Sequence, residues 1–186
     1  EAILPGYAGD KHQESLQLLE NQIAFYKNLN PDRLSAEENY TRALLLTNME
    51  NTQNLNQFPY YTEPLSPGSG MQSQLPILLA EYTFRSKQDV EDYLKLLDQT
   101  DEYFGGLLTF EQEKAAEGLF MSCTSADKVI EQCDTIVTKE RLKANTHFLQ
   151  TTFQERLESL ETEGLLTTAE KETYIQQNNR LLSTVL

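Results

Sequence analysis

The chain has 186 residues, of which 39% are hydrophobic and 9% aromatic, a composition that is ordinary for a folded globular protein. Its formal net charge of -14, from 15 basic and 29 acidic residues with no basic cluster, disfavours binding to nucleic acid or to an anionic membrane surface. The best candidate for a membrane span, LPILLA, is far shorter than the ~18 apolar residues that a span needs.

Two amphipathic helices are predicted in the first third of the chain. The first has an apolar stripe at helical spacing, made of Leu16, Leu19, Ile23 and Tyr26, with Leu18, Phe25 and Leu29 beside them. The second begins at Ser35, which forms a capping-box pattern with Glu38. Its apolar residues are Tyr40, Leu44, Leu45 and Met49.

A strip rich in Pro, Gly and aromatic residues, Phe58 to Phe84, then interrupts the helical pattern. Its prolines stiffen the backbone, and Gly68 and Gly70 permit positive φ angles in a turn. We therefore predict one long Pro/Gly-rich connecting loop here. In the structural interpretation, the loop crosses the surface, where Tyr60, Tyr61 and Leu65 seal the helices beneath it.

Helical signals resume after the strip. Ser86 is predicted to cap a helix, with Asp89 at the box position and an apolar set Val90, Tyr93, Leu94 and Leu97. The next helix is expected to turn Phe104, Leu108, Ala115 and Leu119 inward and to end at Gly118. Inside it, Gly105 and Gly106 suggest either a close helix–helix approach or a kink.

The last third predicts three more helices. Cys123 is placed at the start of one helix, and Cys133 on its buried face with Val129 and Ile136. A distance of roughly 15 Å along that helix keeps the two thiols free. One long helix is then expected from Lys139 to Glu161, and a capping box of Thr167 with Glu170 begins a final helix that runs to Leu186.

Taken together, these patterns predict an all-α protein, with an irregular array of about seven helices in a single domain over residues 1–186. No catalytic, cofactor-binding or metal-binding residue is predicted. The two histidines, His12 and His147, stand far apart and outside any metal-ligand spacing, so each is interpreted as a surface or partly buried helix residue.

The block from Glu63 to Ser122 closely resembles the bacterial family known as domain of unknown function 885. The similar pieces are PLSPGSG, QSQLP, AEY, DVEDYL and GLFMS, at Pro64 to Gly70, Gln72 to Pro76, Ala80 to Tyr82, Asp89 to Leu94 and Gly118 to Ser122. Together these pieces are specific, although each alone is weak.

The resemblance implies a longer, mostly helical parent that is secreted or a cell-envelope lipoprotein. Family members resemble gluzincin metallopeptidases, because an HExxH-like helix in their C-terminal half would hold zinc and supply a general base. This chain stops at Leu186, before such a motif would come. Zinc and catalysis are therefore expected in a missing C-terminal half, and no ligand is carried over to any residue here.

Two function classes remain open. In the first, this region shapes the substrate cleft of the parent peptidase without carrying metal, and Tyr60, Tyr61, Met71 and Gln72 form the rim that faces a peptide. In the second, the chain is a non-enzymatic helical binding or scaffolding domain at the cell surface. A homodimer through the C-terminal helix is also predicted. Its apolar residues, Ile175 and Leu182 on one side and Leu181 and Val185 on another, are expected to leave an exposed apolar patch.

Overall fold

The structure, a computed structural model, describes residues 2–4, 10–136 and 138–185. These residues form two short 3-10 helices, Pro31–Arg33 and Pro59–Tyr61, and nine α-helices, without a β-strand. The α-helices are α1 Asp10–Asn28, α2 Ala36–Leu55, α3 Met71–Glu81, α4 Lys87–Asp98, α5 Thr100–Ala116, α6 Cys123–Ile136, α7 Lys139–Lys143, α8 Phe148–Thr162 and α9 Thr168–Val185. The predicted all-α fold is confirmed.

One helix beyond the expected number lies inside the strip. Residues 71–81 form α3 instead of loop, so the connecting loop is shorter than predicted. Gly70 provides the extended residue that begins α3, and Pro76 lies within the helix, where it removes one backbone hydrogen bond. Burial of Leu75 and Leu79 outweighs this local cost, because each fully buried leucine contributes about 1.5–3 kcal/mol.

The other additional helix arises because the expected helix from Lys139 to Glu161 is broken in two. Asn145 has a φ of 54°, which ends α7. His147 then caps α8: its Nδ1 accepts a hydrogen bond from the backbone N–H of Leu149, at 3.3 Å. Gln150 completes this capping box. The prediction of His147 as a surface or partly buried helix residue is wrong, since its side chain is fully buried.

The described residues form two compact units. The first contains those in the ranges 1–4, 63–108 and 120–186, and the second contains those in 5–62 and 109–119. The core of the first unit comes from α3, α4, α6, α8, α9 and the first half of α5. Its fully buried side chains include Val90, Tyr93, Leu97, Leu149, Leu157 and Leu182.

The second unit is built on a hairpin of α1 and α2. The Nε of Arg42 donates a hydrogen bond to the carbonyl of Tyr26 at 2.8 Å, and Lys27 forms an ion pair with Glu50. The predicted capping box is confirmed, because Ser35 and Glu38 exchange their hydrogen bonds at the start of α2. The large side chains on α2 are mostly exposed: Tyr40, Leu44 and Leu45 all lie on its open side.

Helix α5 also presents a different face from the predicted one. Tyr103, Leu107 and Phe110 are buried, whereas Leu108 is exposed. Its end is as predicted, because Gly118 follows with a φ of 76°. An added Cβ at Gly105 or Gly106 would meet nothing within 4 Å, so the expected close helix approach is absent among the described residues.

Helix α9 packs on α4 and α8, which covers part of the apolar surface that was expected to form a dimer. Leu182 is 0% exposed and therefore cannot contribute to an external apolar patch. The side chain of Val185 and the position of Leu186 fall outside the described residues. Self-association through α9 itself is not tested by this packing.

Candidate functional site

The predicted rim residues divide between the two units. Tyr60 and Tyr61 belong to the second unit, in the 3-10 helix Pro59–Tyr61, whereas Met71 and Gln72 begin α3 in the first. Their assignment to one cleft rim stays a prediction.

The two tyrosines have different surroundings. The ring of Tyr60 packs against Phe110, with 5.7 Å between ring centroids, and its hydroxyl lies 3.5 Å from a carboxylate oxygen of Glu113. Desolvation, and then the negative charge of Glu113, raise the pKa of Tyr60. Tyr61 is 75% exposed and meets Phe58 edge-on, so it does not seal the structure as the structural interpretation had expected. Tyr61 therefore offers an open aromatic surface.

Gln72 stabilises the turn that precedes α3 by hydrogen bonds. Its side chain is only 5% exposed, and its Nε2 donates to the carbonyl of Ser66 at 2.7 Å and to Oε1 of Gln132 at 2.9 Å. Gln132, on α6, donates in turn to the carbonyl of Pro67 at 2.8 Å. The amide of Gln72 is thus used within the fold, whereas Met71 is partly exposed.

Gly70 is required in this turn because of space. Its φ of -72° suits any residue, but a Cβ there would lie 2.0 Å from Oε1 of Gln72 and 2.2 Å from the backbone N of Ser66. Non-bonded heavy atoms do not approach each other this closely. The two motif pieces, Pro64 to Gly70 and Gln72 to Pro76, are therefore in direct contact at Gly70, where Gln72 also donates to the carbonyl of Ser66.

A partly buried arginine, which the sequence did not single out, lies in an aromatic cluster of the first unit. Arg156 on α8 lies over the ring of Phe84, with its guanidinium carbon 4.3 Å from the ring centroid. Its Nη1 donates to the carbonyls of Leu79 and Tyr82, at the end of α3. Burial lowers the pKa of Arg156 and raises the pKa of the neighbouring Tyr93 to about 12. This cluster satisfies helix-end carbonyls and is structural.

A groove runs between α4 and α9 in the first unit. It consists of two adjoining hollows of about 670 and 500 Å3, which share Glu91 and Gln177 in their linings. The larger hollow has Leu94 and Leu181 as its apolar part and Asp98 and Arg180 as charged groups. We call these residues and their hollows the α4–α9 groove.

The smaller hollow contains a tyrosine beside an acid. The hydroxyl of Tyr174 lies 3.5 Å from Oε1 of Glu91. Burial, followed by the charge of Glu91, raises the pKa of Tyr174. At one end of this hollow Glu170 is paired with Lys87 at 2.5 Å, and this bond together with those from Thr167 lowers the pKa of Glu170 to about 2. The carboxylate of Glu170 is therefore ionised, and its partners are Lys87 and Thr167.

Residue types that hold metals are not grouped in the part of the chain that the structure describes: no three His, Cys, Asp or Glu side chains come together there. Both ring nitrogens of His147 are occupied, since its Nε2 lies 2.8 Å from the carbonyl of Ile136. The side chain of His12 lies outside the described residues.

The two cysteines are free, as predicted, and Cys123 begins α6. The expected burial of Cys133 is wrong, because both cysteines are exposed. Partial desolvation, and then the charge of Asp134, raise the pKa of Cys133. A raised pKa lowers the thiolate fraction, so Cys133 has poor properties for a nucleophile.

A comparison with protein families decides the affiliation. The family described as "Bacterial protein of unknown function (DUF885)" matches residues 2–184. The chain belongs to this family. The resemblance that the motif pieces indicated is thereby confirmed. No curated protein matches the chain significantly.

A solved structure has the same fold as this DUF885 chain. It is the crystal structure of "the putative lipoprotein from Colwellia psychrerythraea", with a TM-score of 0.79 and 14% sequence identity. The similarity covers 99% of this chain and 32% of that one, so this chain spans about a third of the length of the solved protein. No helix in the described residues combines the length and apolar character that crossing a membrane requires.

Proposed function

We propose that this chain is a non-catalytic helical region of a longer DUF885 protein, in which it shapes the substrate cleft of a zinc-metallopeptidase-like parent. The observation that carries the proposal is the match in fold to one third of a longer chain. In that parent the zinc and its ligands belong to a C-terminal half, the substrate is a peptide, and the location is extracellular or in the cell envelope as a lipoprotein. We also propose that residues 1–186 act as one domain of that parent.

The surface of α2 supports the proposal that something further covers this region. Tyr40, Leu44 and Leu55 are spaced by 4 and 11 residues, which places them on one side of the helix. They are 71%, 59% and 67% exposed. Tyr40 and Leu44 are one helical turn apart and form an exposed apolar pair, and exposed apolar patches mark interaction sites.

The parent gene and its product test this function. Reading the gene beyond Leu186 should give several hundred further codons, including an HExxH motif. The full-length product should retain stoichiometric zinc and hydrolyse peptides, whereas this chain alone should do neither. A stop codon after Leu186, or zinc-dependent hydrolysis by this chain alone, would refute the proposal.

The rim is tested by variants in the same parent. Tyr61→Ala and Met71→Ala should raise KM while zinc content and thermal stability stay the same, because both side chains are at least partly open. Phe120→Ala is the matched control, since Phe120 is an exposed aromatic residue outside the rim. Equal KM values in all three variants and in the wild type would contradict the rim assignment.

The second candidate function is a non-enzymatic binding or scaffolding domain at the cell surface, with self-association through α9 as one form of it. The α4–α9 groove favours a binding role, because apolar and charged groups line it side by side. Binding that persists in a parent without peptidase activity would select this candidate.

A further inference from the structure

The α4–α9 groove is elongated along α9. Its lining residues on α9 begin at Ala169 and end at Thr184, recurring every three or four positions along one side of the helix. At 1.5 Å per residue this distance is roughly 22 Å. An extended chain of six or seven residues has about the same length, at ~3.3 Å per residue.

Three polar groups of the groove are available to a ligand. Within the described residues, the carboxylate of Asp98, the amide of Gln177 and the guanidinium of Arg180 form no hydrogen bond or ion pair with another side chain or with the backbone. All three are exposed and line the larger hollow. By contrast, Lys95 is already paired with Asp92 at 3.2 Å. The groove thus offers a free anion, a free cation and a free amide.

The chemistry of the lining distinguishes an extended peptide from a helix. A docked helix has satisfied its own backbone groups and needs a broad apolar surface. Here the aliphatic side chains of the lining are Leu94, Leu181 and Ala169, and charged and amide groups stand among them. Gln177, which lines both hollows, can donate and accept. An extended peptide has unsatisfied N–H and C=O groups that such side chains can meet.

We propose that the α4–α9 groove binds an extended peptide segment that carries one acidic and one basic side chain on either side of an apolar one. The acidic group pairs with Arg180, the basic group pairs with Asp98, and the apolar side chain lies on Leu94 and Leu181. This proposal deepens the binding role proposed above by naming the ligand. It does not require that the parent hydrolyse the peptide.

The test titrates the chain with capped seven-residue peptides and follows backbone amide signals by nuclear magnetic resonance. One probe contains Lys, Leu and Glu at alternate positions, a second has the reverse order, and a third replaces both charged residues with Ala. The expected result is a saturable shift of signals from Leu94, Gln177 and Leu181 with at least one charged probe. The uncharged probe should bind about five- to tenfold more weakly.

Variants connect the shifts to the groove. Arg180→Glu and Asp98→Lys should each weaken binding about three- to tenfold. Arg141→Glu is the matched control, because Arg141 is also exposed and does not line the groove. Since all three positions are exposed, circular dichroism and thermal midpoints should match those of the wild type.

Four outcomes would overturn the proposal. The first is that no signal shifts saturably up to millimolar peptide, and the second is that Arg141→Glu weakens peptide binding as much as the groove variants do. The third is that a helical peptide binds more tightly than the extended probes. The fourth is that groove signals shift with protein concentration in the absence of peptide, which would indicate a second copy of the chain as the occupant. Each of these leaves zinc content and hydrolysis by the parent unaffected. A result that refutes the groove proposal can therefore be distinguished from one that refutes the proposed function.

Discussion

Gly70→Ala is expected to destabilise the first unit strongly, although Ala differs from Gly by only one methyl group. The new Cβ would lie 2.0 Å from Oε1 of Gln72 and 2.2 Å from the backbone N of Ser66. The side chain of Gln72 can rotate away, but the backbone of Ser66 can move only if the turn opens. A backbone contact at this distance therefore forces the turn to rearrange.

The magnitude follows from the hydrogen bonds that depend on this turn. The backbone N–H of Gly70 donates to the carbonyl of Ser66 at 3.0 Å, and that of Met71 donates to the carbonyl of Pro64 at 2.9 Å. Nε2 of Gln72 donates to the same Ser66 carbonyl at 2.7 Å. Loss of two or three such bonds, at about 1 kcal/mol each, lowers the free energy of unfolding by about 2–3 kcal/mol.

Gly68→Ala is the matched control in the same turn. An added Cβ at Gly68 meets nothing within 4 Å. This variant should be neutral or stabilised by up to about 1 kcal/mol, because Ala restricts the unfolded chain more than Gly does.

Urea denaturation followed by circular dichroism measures both variants against the wild type. For Gly70→Ala the midpoint should fall with little change in the slope, and the melting temperature should fall by roughly 4–12 °C. Equal stability of the Gly70→Ala and Gly68→Ala variants would refute the steric reasoning.

Three further predictions concern other parts of the chain. Arg156→Met should lower the free energy of unfolding by about 2–4 kcal/mol in urea denaturation, because three backbone carbonyls each lose a hydrogen bond from the guanidinium, and Arg156→Lys should recover less than half of it. A fully stable Met variant would contradict this role. The stabilisation that Glu170 provides, with its pKa lowered to about 2 by Lys87, should be complete above about pH 4.5 and disappear as the pH falls to about 2. The difference in thermal midpoint between the wild type and Glu170→Gln should shrink over that range, and a difference independent of pH would contradict it. Both thiols should react with a disulfide reagent without denaturant, Cys133 more slowly than Cys123 at neutral pH because its pKa is raised. Faster labelling of Cys133, located by mass spectrometry, would contradict that order.

Helix ends were predictable from the sequence because their signals are local. Ser35 with Glu38 and Thr167 with Glu170 form the expected hydrogen bonds at the starts of α2 and α9, and Ser86 accepts from the N–H of Asp89 at the start of α4. Each cap needs only a side chain three residues from a backbone group. No distant part of the chain takes part in that geometry.

Helix faces were less predictable because they depend on distant partners. In α2 the side that is less exposed contains Arg42 and Met49, and the larger apolar residues Tyr40 and Leu44 lie opposite. The apolar residues of α2 therefore do not by themselves identify its covered side. In α5, Leu107 and Phe110 are buried and Leu108 is not, a shift that a wide apolar stripe cannot resolve.

The break before α8 was missed because its cap is a histidine. The backbone N–H of Leu149 is bound by a ring nitrogen, and the other ring nitrogen lies beside the carbonyl of Ile136, on α6. Ser, Thr, Asp and Asn are the residues that usually signal a cap. Asn145, next to the break, was the available local signal, since Asn accepts a positive φ more readily than most residues.

The position of Gln72 decides how the proposed rim has to be tested. Its amide joins the turn carbonyl of Ser66 to α6 through Gln132, so Gln72→Ala removes hydrogen bonds within the fold whether or not a peptide lies nearby. A loss of activity in that variant would therefore report stability rather than contact with substrate. Tyr61 is 75% exposed, and its ring meets only Phe58 among the aromatic contacts of the described residues. A change in KM at Tyr61 without a change in melting temperature is accordingly the informative measurement, and Gln72→Ala serves as the control for a loosened turn.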